Sequence, residues 1–115
     1  MPTVEEERRL SVAAIILEPE NRSFYVPVAT EAFFRKCWIP AIRQLNLAIV
    51  SLFDPGVDLR KDDFPLLCEE LDRIKTWADK QLTEEEHAHI CSRIDGLIAR
   101  LTEAFAEEGV VIFIG

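Results

Sequence analysis

The chain has 115 residues, of which 49% are hydrophobic and 30% charged, and its formal net charge is −8. That length suits one domain, residues 1–115, and the mixture of apolar and charged residues suits a folded globule rather than a disordered segment. The acidity argues against nucleic acid and anionic membranes as partners, because attraction to phosphates needs a positive surface, and it favours basic proteins.

Cys37, Cys68 and Cys91 are odd in number, widely spaced and set among apolar neighbours, which suits a reducing compartment better than a disulfide framework. Glu5, Glu6 and Glu7 stand where a signal peptide would be basic, and the apolar run 12–17 is too short to span a bilayer. A cytoplasmic protein is expected.

Residues 10–17 are apolar and β-branched, Glu18-Pro19-Glu20-Asn21 supplies turn chemistry, and residues 23–28 resume with Phe24, Tyr25 and Val26. This pattern predicts a hairpin. Pro27 has no N–H for a ladder, so it should mark the end or an edge of the second strand.

Thr30 is placed to cap a helix running to about Leu45, with Phe34, Trp38, Ala41, Ile42 and Leu45 forming one apolar stripe. Pro40 lies inside it and should kink the helix near Trp38 or split it in two. Asn46 tolerates the left-handed conformation that ends a helix. Residues 47–53 then read as a buried strand closed by the Asp54-Pro55-Gly56 turn, and strand, helix, strand would form a right-handed crossover. Residues 54–61 read as the most mobile loop.

Asp62 or Asp63 should cap the next helix, with Pro65 in its first turn and Phe64, Leu67, Leu71, Ile74 and Ala78 facing the core as far as about Lys80. Thr83 and Glu86 have the capping-box spacing and open a helix with Ile90, Ile94, Leu97, Ile98, Leu101 and Phe105 inward, stopped by Gly109. Residues 110–114 form a wholly apolar, β-branched run that must be covered, either between other strands or by a partner. The short link between the last two helices makes them antiparallel neighbours, so this run should return antiparallel to the preceding strand. The expected fold is α+β in two layers, a four-stranded, mostly mixed sheet carrying about three helices, in the order β-β-α-β-α-α-β.

Several groups of residues are candidates for chemistry or binding. Glu84, His87 and Cys91 share a helix face, and a carboxylate that orients an imidazole beside a thiol is the pattern of nucleophilic catalysis. Cys91, however, falls in the stripe of Ile94 and Ile98, and His87 occupies the position that packs back on Leu82. His87 with Cys91 is also the most that the chain offers a zinc ion locally, since His89 points elsewhere, to a solvated side shared with Arg93, Gly96 and Arg100. No cofactor is expected.

Helical spacing turns Trp77 off the stripe of Leu67, Leu71 and Ile74, onto the side of Leu66, Glu70 and Arg73. It is either covered by the following helix or the hairpin, or it anchors a partner, in an interface whose candidates also include Asp62 and Asp63 at the helix start. Arg35, Lys36 and Arg43 form a positive cluster on the first helix, an anion site if the three are not neutralised by neighbouring acids.

The remaining acids concentrate on the last two helices, a surface suited to a basic protein. Small size, acidity and reduced cysteines are together what bacterial immunity proteins present, an analogy of type. The function expected is therefore a non-enzymatic, protein-binding module that masks a basic partner through an acidic helical surface, as an immunity or antitoxin protein does. A His/Cys metal-binding or thiol enzyme is the first alternative. A self-associating subunit, dimeric through Ile114 and its neighbours or through Trp77, is the second.

Overall fold

The computed structural model describes residues 11–115. Leu10, Glu5, Glu6 and Glu7, on which the expected strand start and the signal-peptide argument rest, lie outside the described residues.

The expected hairpin forms from β1 (Ser11–Glu18) and β2 (Tyr25–Thr30), paired antiparallel. Its register steps at Val28: Val12 faces Ala29 and Ala13 faces Pro27, so Val28 is the extra residue of a β-bulge. Two further strands, β3 (Val57–Leu59) and β4 (Val111–Ile114), complete a sheet of order β2-β1-β4-β3 with every neighbouring pair antiparallel. The final apolar run is therefore an inner strand, paired with β1 on one side and β3 on the other. Pro27 sits on an edge strand, where its missing N–H costs no ladder bond inside the sheet.

The expected mixed sheet and right-handed crossover are corrected: β2 and β3 lie at opposite edges, and among the described residues no neighbouring strands run parallel. The order of elements stands, but the third strand is residues 57–59 rather than 47–53. The segment expected to be the most mobile loop is thus a strand followed by a 3-10 turn, Lys61–Asp63. Residues 47–53 fail to form a strand because their donors are taken. The Glu70 carboxylate accepts hydrogen bonds from the amides of Ala48, Ile49 and Val50 at 3.0 to 3.2 Å, and Val50–Phe53 winds into a 3-10 turn.

The first helical run, α1, is continuous and has three parts: an α-helical turn Glu31–Phe33, a π-helical turn Phe34–Trp38 and the α-helix Ile39–Leu45. Thr30 caps it through its side chain, which accepts from the Phe33 N–H at 3.1 Å. Pro40 neither splits it nor breaks it. One residue is inserted into the spiral ahead of the proline, where the Ile39 N–H reaches back five residues to the Phe34 carbonyl, and that widened turn accommodates the ring. Asn46, at φ 55°, closes α1 in the left-handed conformation.

Two long helices follow, α2 (Phe64–Gln81) and α3 (Glu84–Ala104). The capping box of α3 is present in both directions: Thr83 Oγ1 accepts from the Glu86 N–H, and Glu86 Oε1 accepts from the Thr83 N–H. The helix stops at Ala104, five residues before Gly109, whose φ of +79° turns the chain into β4. Phe105 at the end of α3 packs on Phe64 at the start of α2, with ring centroids 5.4 Å apart.

The alternation of the strands decides where the helices go. Val12, Ala14, Val26, Val28, Leu59, Ile112 and Ile114 point to one face and join a single buried cluster with Phe34 and Trp38 of α1, Leu67, Leu71 and Ile74 of α2, and Ile90, Ile94, Leu97 and Leu101 of α3. Burying each such aliphatic side chain is worth about 2 kcal/mol, so this layer interface dominates the folding free energy.

Candidate functional site

The side of α2 around Trp77 turns out to hold the fold together. Glu70 is only 3% exposed, and its carboxylate clasps the segment after α1. One turn further on, the Arg73 guanidinium donates to the Leu45 carbonyl at 2.9 Å, and one turn beyond that the Trp77 indole N–H donates to Gln44 Oε1 at 2.8 Å. Spacing at 70, 73 and 77 thus lays one side of α2 along the end of α1 and the segment that follows it. This corrects Glu70 as an interface residue, because a buried carboxylate engaged by three backbone amides presents nothing to a partner. Trp77 is half-buried against the core, with its indole N–H held by Gln44 of α1. Leu66 remains exposed, as does Asp62; Asp63 accepts from the Arg60 N–H at 2.9 Å and serves the local turn.

The positive cluster on α1 is divided. Arg35 pairs with Glu31 at 2.7 Å and Lys36 with Glu86 of α3 at 2.9 Å, while Arg43 stands exposed. Each acid holds its partner's charge in place: the Glu31 hydrogen bond raises the pKa of Arg35, and the Glu86 hydrogen bond raises that of Lys36.

His87 approaches Asp79 of α2 at 4.0 Å, and Cys91 lies half-buried against the core. Burial pushes the Cys91 thiol up, away from the thiolate that nucleophilic or metal chemistry requires. Among the described residues no group of three His, Cys, Asp or Glu side chains is arranged to hold a metal ion, so neither His87 nor Cys91 gains further ligands there.

Two surfaces emerge that the spacing arguments did not find. The first is the outer face of the sheet. Opposite the helices, strand register places Tyr25 beside Ile15, Ile15 beside Phe113 and Phe113 beside Asp58 in one row across all four strands. Ile15 and Leu17 are each 38% exposed and Tyr25 is 53% exposed. Ala13 and Val111 extend this apolar floor, both buried but outside the core cluster. The Phe113 ring lies flat over the glycines beside it: a Cβ built on Gly56 would fall 2.5 Å from that ring, and one on Gly115 would fall 2.6 Å from it. The signal for this face was present in β1, whose Ile15 and Leu17 alternate with the inward Ala14 and Ile16. A two-layer fold covers only one side of such a strand.

The second surface is a groove of about 360 Å³ between β2 and α3, walled by Tyr25, Val26 and Pro27 on one side and by His89, Ser92, Arg93, Gly96 and Arg100 on the other. The helix face expected to be merely solvated is therefore one wall of a concavity. Its opposite wall comes from a strand about sixty residues earlier, which helical spacing alone has no means of revealing.

Comparison with protein-family models, with curated proteins and with solved structures gives no match to this chain. Among the described residues, no helix is long and apolar enough to cross a membrane.

Proposed function

We propose that this chain is a non-enzymatic, cytosolic protein-binding domain that masks a basic protein partner, in the manner of immunity and antitoxin proteins, with the outer face of its sheet as the contact surface. The observation that carries this reading is the row in which exposed Tyr25 and Ile15 adjoin the half-buried Phe113, with exposed Leu17 beside it, on the side of the sheet away from the helices of the described residues. Contiguous apolar surface with an aromatic at its edge is where binding energy concentrates.

The acidic helices supply a different part of the function. Asp62, Glu69, Asp72, Glu84 and Glu85 are exposed and form no ion pair among the described residues, and the whole chain carries −8. Charge of that kind speeds the encounter with a cationic protein and selects it, while the apolar sheet face holds it.

Photocrosslinking tests the reading. A photoreactive residue at position 15 should capture a basic protein in cells, and added salt should slow that capture in extract. Adducts containing only a second copy of the chain would show self-association instead, and an acidic partner would contradict the masking role.

A further inference from the structure

The groove between β2 and α3 has a composition unlike the rest of this acidic protein. His89, Arg93, Gly96 and Arg100 recur at helical spacing along one face of α3, with Ser92 beside them and the Tyr25 edge of β2 opposite. Among the described residues, no carboxylate lines it. Elsewhere among the described residues Arg22, Arg35, Lys36, Lys61 and Lys75 each pair with an acid within 2.9 Å, while Arg43, Arg60 and Lys80 are exposed without an ion pair. Arg93 and Arg100 form no ion pair among the described residues. Arg100 is instead steadied by a ring, its guanidinium carbon 5.0 Å from the centroid of Phe24, and His89 meets the Phe33 ring edge-on at 4.7 Å. Aromatic contacts of this kind orient a cation without neutralising it.

Gly96 is the second irregularity. A glycine inside an α-helix costs about 1 kcal/mol relative to alanine, and here a Cβ would meet nothing within 4 Å among the described residues, so their packing does not require its absence. It leaves bare backbone on the groove floor between Arg93 and Arg100, which stand two turns and about 10 Å apart along the helix axis. Glycine is the residue that lets a ligand approach a backbone closely.

We propose that this groove binds a small organic phosphate. Two guanidinium forks, an imidazole and the Ser92 hydroxyl supply hydrogen-bond donors for the three terminal oxygens of a phosphate monoester. The Tyr25-Val26-Pro27 wall accepts the organic body, and the volume lies within the range of small-molecule sites. Its phosphate donors all lie on α3, and Tyr25 is the one residue it shares with the apolar row of the sheet, so the site is tested through Arg93 and Arg100.

Phenyl phosphate is the probe. Titrated into isotope-labelled full-length chain up to about 20 mM, it should shift the amides of residues 25–26 and 89–100 saturably. Arg93→Gln and Arg100→Gln should each weaken that binding by about fivefold or more, thermal melting confirming that both remain folded, whereas Arg43→Gln on α1 should leave it unchanged. Absence of saturable shifts, equal weakening by Arg43→Gln, or equally tight binding of benzoate would overturn the assignment.

Discussion

Glu70 organises more of the chain than any other single polar residue. Three backbone N–H groups converge on its buried carboxylate, and truncating it to alanine leaves those donors without acceptors inside the protein. Since unsatisfied buried donors and lost charge-assisted bonds each cost a few kcal/mol, Glu70→Ala should destabilise the fold by about 3 kcal/mol in urea unfolding. Glu70→Gln keeps one acceptor oxygen and should lose less. Gly56 is a second sensitive position: its φ of +154° and the Phe113 ring over it both oppose a side chain. Gly56→Ala should cost about 2 kcal/mol by the same measurement, and Phe113→Ala should relieve part of that cost in the double variant. Neither role is legible in sequence. Glu70 reads as one of many helix-surface acids, because the amides it serves lie some twenty residues away, at the entry to a short 3-10 turn that no periodicity marks.

At the scale of elements, α2 and α3 were readable because their stripes repeat over five turns or so and α3 announces itself with a complete capping box. That box is also tied to α1. Glu86 is held below its ordinary pKa first by the hydrogen bond from Lys36, then by the Thr83 N–H. A carboxylate depressed in this way adds stability that is fully present above its unfolded pKa and is lost as the pH falls through the folded one. The stability gap between the native chain and Glu86→Gln should therefore be constant near neutral pH and close on acidification through the carboxylate range. A gap independent of pH would show that Lys36 and Thr83 do not stabilise the ionised form. The third strand was misplaced for a physical reason: residues 47–53 are apolar and β-branched, but the clasp from α2 removes their donors before a ladder can use them. Local propensity then yields to tertiary hydrogen bonding, and the short run Val57–Leu59 pairs with β4 instead.

For the whole molecule, the apolar run at 110–114 demanded cover, and the sheet provides it: β4 is hydrogen-bonded on both sides and Ile112 and Ile114 are fully buried. Removing residues 110–115 should abolish cooperative thermal unfolding, since among the described residues β3 would lose its only partner strand and β1 its second. What the sequence could not display is the consequence of stacking every helix on one side. Periodicity marks a residue as apolar; it does not reveal that the layer which would cover Ile15, Leu17 and Tyr25 is absent from the described fold. The central claim is that this outer face binds a basic protein without contributing to folding. The most direct test replaces Ile15 and Tyr25 together by serine and measures, on one preparation, urea stability and retention of the partner captured from position 15 of the native chain. The account predicts stability within about 1 kcal/mol of the native chain and loss of the partner. Retention of the partner by the folded double variant would contradict it.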